Sequence, residues 1–257
     1  MSIRLRSGGL SFSLCDPAVG GGFFLQEVEF DRAASFVSSL KEFFFANECL
    51  SWSYRQTQVI GVSPEYALVP LDFCVPGETR KRLGFCYSSP IPFCLSERWE
   101  EENAELLYGA EEESYAFCSR SLERPLFSHY TTLLLRLWRK QSEGDNLSGR
   151  RMCVNLERKR IDVACLGGMR LLFLNSFRVD QPDDILYYIL YVWKQVGLDP
   201  EHDRLALWGE PMAREPLLVR LRRYLRHAEA MEIPSEVYLL GADVAKAPLD
   251  LISFLCE

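Results

Sequence analysis

Residues 151–210 read RMCVNLERKR IDVACLGGMR LLFLNSFRVD QPDDILYYIL YVWKQVGLDP EHDRLALWGE. This stretch decides the fold. Residues 152–156 are apolar at alternate positions, the charged run 157–160 turns the chain, and 161–166 returns. Gly167-Gly168 then turns it again into 169–179. Alternating runs joined by short turns mark antiparallel hairpins, so a three-stranded meander is expected. A helix follows, with Asp180 expected as its cap and Pro182 in its first turn. Asp183 and Asp184 complement the positive end of its dipole, so the acids are explained by capping rather than as a catalytic pair. Its body, 185–193, is apolar almost all round, which marks a helix buried on several sides. Gly197 ends it, and 204–208 is a further strand that stops at Gly209.

The first quarter of the chain repeats this order. Residues 2–6 and 10–15 flank the turn Ser7-Gly8-Gly9 as a hairpin, and 23–30 forms a third strand. Asp31 is expected to cap a helix over 32–46, whose apolar positions Phe36, Val37, Leu40 and Phe44 recur at helical spacing. Strands are expected at 54–62 and 66–69, a helical turn or two at 78–87, short strands at 106–108 and 114–118, and a helix at 130–140. The polar, glycine-containing run 141–149 is the best boundary between halves. Beyond it lie a helix at 215–228 with an apolar stripe at Leu217, Leu218, Leu221, Tyr224 and Leu225, a strand at 237–240 and a last apolar segment at 249–255.

With 257 residues, 48% of them hydrophobic and 25% charged, the chain has the composition of an ordinary globular protein large enough for two modest domains. The net charge of −7 argues against nucleic acid as the main partner. No signal-like opening and no run of 18 apolar residues occurs, so a cytoplasmic protein without a transmembrane segment is expected. None of the nine cysteines is in a Cys-x-x-Cys pair, and Cys15, Cys153 and Cys165 sit in apolar strands as small buried hydrophobes. The acidic runs 100–102 and 111–113 read as solvated surface, and the arginines of 214–226 as a solvated helix face. His129, His202 and His227 have no partner at metal or triad spacing. No Walker loop, nucleophile elbow or His-Glu-x-x-His is present, so no catalytic residue and no metal site is assigned.

A meander followed by helix, strand, helix and strand, occurring twice, is similar to the duplicated plan of the actin-like ATPase superfamily of sugar kinases, heat-shock chaperones and actin. The wording of 172–177, 182–190, 195–200 and 205–209 resembles a domain-of-unknown-function family of Bacteroidetes proteins with that fold, which is shared by pilus-assembly and secretion proteins. The resemblance is strongest over 151–210. It implies an α/β protein with two ribonuclease H-like halves, 1–148 and 149–257, each with a five-stranded mixed sheet flanked by helices.

In active members of the superfamily, glycine-rich hairpin turns clamp the phosphates and an aspartate on the first strand of each half holds hydrated magnesium. Here Arg4 and Arg6 stand on the first strand of the first half. Asn155 replaces the aspartate in the second, and its turn is Glu157-Arg-Lys-Arg160. The adenosine motif keeps one glycine, Gly209. If a nucleotide is bound, the resemblance places it at Gly8, Gly9, Asn155 and Gly209. The expected protein is a non-catalytic scaffold with a protein partner and no cofactor. The alternative is an ATPase or kinase-like enzyme that binds ATP and magnesium through divergent loops.

Overall fold

The computed structural model describes residues 1–16, 22–31, 33–75, 77–143 and 149–253. In chain order the elements are β1 (Ser2–Arg6), β2 (Gly9–Cys15), β3 (Phe23–Glu29), α1 (Phe36–Ala46), β4 (Gln58–Gly61), β5 (Tyr66–Pro70), α2 (Thr79–Phe85), β6 (Cys94–Trp99), β7 (Ala104–Gly109), α3 (Glu112–Ser121), β8 (Leu126–His129) and α4 (Tyr130–Glu143). They continue as β9 (Arg150–Glu157), β10 (Arg160–Gly167), β11 (Arg170–Arg178), α5 (Pro182–Val196), β12 (Arg204–Trp208), α6 (Pro211–Leu221), β13 (His227–Ala230), α7 (Ser235–Tyr238) and α8 (Leu249–Ile252). The chain forms two compact units, Met1–Leu133 with Ser235–Glu257, and Leu134–Pro234. The 141–149 run expected to divide the halves falls mostly on 144–148, outside the described residues. No helix among the described residues is long and apolar enough to cross a membrane.

In the first unit the main sheet has the order β3-β2-β1-β4-β8, and a three-stranded sheet, β5-β7-β6, accompanies it. The second unit has the order β11-β10-β9-β12-β13. Both five-stranded sheets thus place an antiparallel meander beside two parallel strands, with β1 pairing β4 and β9 pairing β12 in parallel. The expected duplicated α/β plan, two mixed five-stranded sheets flanked by helices, is the one observed. Alternation produces it: Ile3, Leu10, Phe12, Leu40 and Val59 fill one core, and Met152, Val154, Ile161, Val163, Ile189 and Trp193 the other. Truncating one such side chain to alanine typically costs about 2–5 kcal/mol.

Several expected boundaries move. The cap of α1 is Ser35, not Asp31, whose carboxylate instead accepts from Ala33 N at 2.9 Å in a local turn. The cap of α5 is Gln181, one residue beyond Asp180, with Asp184 reaching back to Gln181 N at 2.9 Å to complete a capping box. Residues 114–118, expected as a strand, lie in α3. Glu111 caps this helix by accepting from Ser114 N at 3.0 Å, and acids fill its first turn. The expected helix 215–228 begins earlier, at Pro211, and stops at Leu221, after which His227–Ala230 joins the sheet. The expected strand 237–240 is a helical turn closed by Leu240 N to Val237 O, while Leu240 O accepts from Phe23 N at the start of β3. Of the expected strand 54–62, only Gln58–Gly61 pairs. The end of the 249–255 segment lies outside the described residues.

Candidate functional site

The four positions singled out for a nucleotide fall two in each unit. Gly8 and Gly9 form the β1–β2 turn. A Cβ on Gly9 would lie 2.0 Å from Val28 O, because β3 packs directly across this position. Gly9 is therefore required by pairing within its own sheet. Gly8 would meet only the tip of Glu29 at 3.4 Å. On β1 itself, Arg4 is buried, and its Nε donates to Asp250 Oδ2 of α8 at 2.7 Å. Arg6 pairs with Glu29 on β3.

Asn155 and Gly209 do come together, since Asn155 lies opposite Trp208 in the β9–β12 pair. Asn155 is buried and its Nδ2 donates to Asp162 Oδ2 at 3.2 Å. Asp162, with no exposure, also accepts from Ser176 Oγ at 2.8 Å and is 2.8 Å from the Arg160 guanidinium. The carboxamide is thus part of a four-residue network across β9, β10 and β11. The β9–β10 turn leaves exposed Arg158 and Lys159 where a phosphate clamp would need glycines. Gly209, at φ +139°, would place a Cβ 2.7 Å from Leu156 Cβ, so close packing within the unit accounts for it.

Four of the five arginines of 214–226 are engaged internally, and Arg223 is exposed. Arg214 is buried, donates to Met231 O at 2.6 Å and pairs with Glu215 and Glu232. Arg220 pairs with Asp183 at 2.7 Å, Arg222 Nε donates to Ala228 O at 3.0 Å, and Arg226 pairs with Glu201 at 3.3 Å.

Two features had no signal in the sequence. The first surrounds His129, which is fully buried with Nδ1 2.7 Å from Thr131 Oγ1 and Nε2 3.0 Å from Ser63 O, among the rings of Tyr66, Tyr108 and Tyr130. Glu97 of β6 caps the start of α4, accepting from His129 N and from Thr132 Oγ1. Burial and the neighbouring Glu97 charge push the Tyr108 phenol well above its usual range. The second is a cavity of about 710 Å³ at the carboxyl ends of β1 and β4. Its walls are apolar, with Phe36, Ile91, Phe93, Tyr115 and Phe127, and its rim carries Glu65 and the first turn of α3, Glu112 and Glu113. The loop 89–92 and the end of β7 close one side. Among the described residues no group of three or more His, Cys, Asp or Glu side chains is placed to hold a metal ion.

Over residues 1–228 the sequence matches the family described as "Protein of unknown function (DUF3822)". The chain belongs to this family. No curated protein matches it. Among solved structures it is similar to a protein of Bacteroides thetaiotaomicron VPI-5482 with an actin-like ATPase fold and unknown function, at 24% identity and a TM-score of 0.80, covering 100% of this chain and 95% of that one. The PilM–PilN type IV pilus biogenesis complex matches at 12% identity and TM-score 0.52, covering 98% and 93%. An inorganic polyphosphate/ATP-glucomannokinase from Arthrobacter sp. strain KM matches at 12% identity and TM-score 0.50, covering 99% and 98%. These likenesses show the fold, which accommodates both a kinase and a member of a protein complex.

Proposed function

We propose that this family member is a non-catalytic actin-like scaffold that acts by binding protein. The carrying observation is the Arg4–Asp250 pair. Where active members of the superfamily hold magnesium with a first-strand carboxylate, this chain buries a guanidinium and neutralises it with its own C-terminal segment. The pair fills the position with a guanidinium, and its carboxylate, Asp250, is taken up by that guanidinium, so no free anionic ligand is offered to a hydrated divalent ion there. Asn155, committed to Asp162, supplies no anionic ligand in the second unit either. This donor set does not fit ATP with magnesium. The likeness to a member of the pilus biogenesis complex supports use of the fold for protein binding. The described cysteines are all free, which supports a reducing, cytoplasmic setting.

The competing reading is a nucleotide-binding ATPase or kinase-like enzyme with divergent loops, and the open approach to Gly8 favours it. Thermal-shift and calorimetric titration of the full chain with ATP, ADP and GTP separates the two. The scaffold reading expects no response from any of them, and a saturable response accompanied by magnesium-dependent hydrolysis would establish the enzyme.

A further inference from the structure

The cavity in the first unit and an exposed aromatic beside it form a complementary pair on one chain. Phe85, the last residue of α2, is 94% exposed, the highest value of any large hydrophobic side chain among the described residues. It follows Gly84, around which a Cβ would meet nothing within 4 Å, so the end of α2 projects freely. Arg80 and Lys81, one turn earlier on the same helix, are exposed and cationic. Aromatic side chains are enriched in the cores of protein interfaces, where they act as anchors in pockets on the partner. The cavity offers the converse: aromatic and proline walls below a rim carrying Glu65, Glu112 and Glu113.

Knob and socket belong to one rigid neighbourhood. Leu83 of α2 is fully buried and packs in a single cluster with Ile91, a wall residue of the cavity, and with Leu107 of β7. A basic, aromatic projection thus stands next to an acidic, aromatic-lined recess of the opposite character.

We infer that the cavity receives Phe85 of a second copy of this chain, with Arg80 and Lys81 of each copy facing Glu112 and Glu113 of the other. Because knob and socket are neighbours, inserting one brings the reciprocal pair within reach, so the assembly closes as a two-fold dimer rather than an open chain of copies. The aromatic anchor in a recess supplies the affinity, and the ring of charges fixes the pairing. The inference deepens the scaffold reading by naming a partner, and the two fail separately: nucleotide hydrolysis would overturn the scaffold and leave the dimer standing, while a monomer would do the reverse.

Sedimentation equilibrium of the full chain over a range of concentrations tests it. The wild type is expected to shift from monomer to dimer with rising concentration. Phe85→Ser, which removes an almost wholly exposed side chain from the monomer, is expected to weaken the dimer about 30-fold or more. Glu112→Lys with Glu113→Lys is expected to weaken it too, and adding Arg80→Glu and Lys81→Glu in the same chain to restore it; circular dichroism confirms that each variant is folded. A wild type that stays monomeric, a dimer indifferent to Phe85→Ser, open-ended polymers, or a charge-swapped variant that fails to recover overturns the inference. So does a fatty-acid probe, such as palmitate, that fills the cavity without changing the assembly.

Discussion

Asn155 Nδ2 donates to Asp162 Oδ2 at 3.2 Å inside a sheet where Asp162 has no contact with solvent. The substitution that brings this chain nearest to an active actin-like ATPase, Asn155→Asp, therefore sets two carboxylates against each other in a buried place. Like charges in such a site cannot both ionise without penalty. Asn155→Asp is expected to destabilise the fold by about 2–4 kcal/mol at neutral pH, with no ATP turnover gained. Urea unfolding and a phosphate-release assay check the two halves of this prediction.

The Arg4–Asp250 pair predicts a non-additive result. Removing one partner, by Arg4→Met or Asp250→Leu, breaks a buried ion pair and is expected to cost about 3–5 kcal/mol. The double variant is expected to recover much of that loss, because the remaining charge has gone with its partner. A double-mutant cycle by chemical denaturation measures the coupling.

Gly209 predicts a packing effect. Its φ of +139°, and the 2.7 Å that would separate an added Cβ from Leu156 Cβ, make Gly209→Ala costly, by about 1–3 kcal/mol. Leu156→Gly in the same chain, which removes the Cβ that the new methyl group would meet, should relieve part of this cost. Full additivity of the two losses in denaturation would mean that Gly209 is retained for a reason other than Leu156.

The duplicated plan was legible in the sequence because it depends on local alternation: residues 152–156 and 161–166 show the period of two that becomes β9 and β10. The errors lie where a cap outweighed a short pattern. Tyr115 and Phe117 alternate like a strand, yet the Glu111 carboxylate on Ser114 N starts a helix there. Residues 237–240 are apolar and open on a β-branched valine, yet turn bonds and the contact of Leu240 with Phe23 hold them as a helical turn. The candidate site was legible only as a set of positions. That Arg4 meets Asp250, 246 residues away, has no local signature, and neither does the recess between β1, β4 and α3.

Buried thiols predict a loss of stability in alkali. Burial pushes Cys118 and Cys153 up to about 12 from an ordinary 9.0. Below pH 9.0 both thiols are protonated in the folded and unfolded states, and this stability is fully present. Between that value and about 12 the unfolded chain releases the protons and the fold keeps them, so stability falls as pH rises, by up to about 1.4 kcal/mol per pH unit for each thiol. Unfolding midpoints measured from about pH 8 to 11 should decline, and less steeply in Cys153→Ala.

Calorimetric titration of the full chain with ATP in the presence of magnesium, followed by measurement of phosphate release, decides whether the fold works without nucleotide chemistry. No saturable heat and no hydrolysis above the uncatalysed rate are expected, because Arg4 is paired with Asp250 and Asn155 with Asp162. Saturable one-to-one binding, with hydrolysis that disappears on changing Asn155 or Gly209, would contradict that expectation.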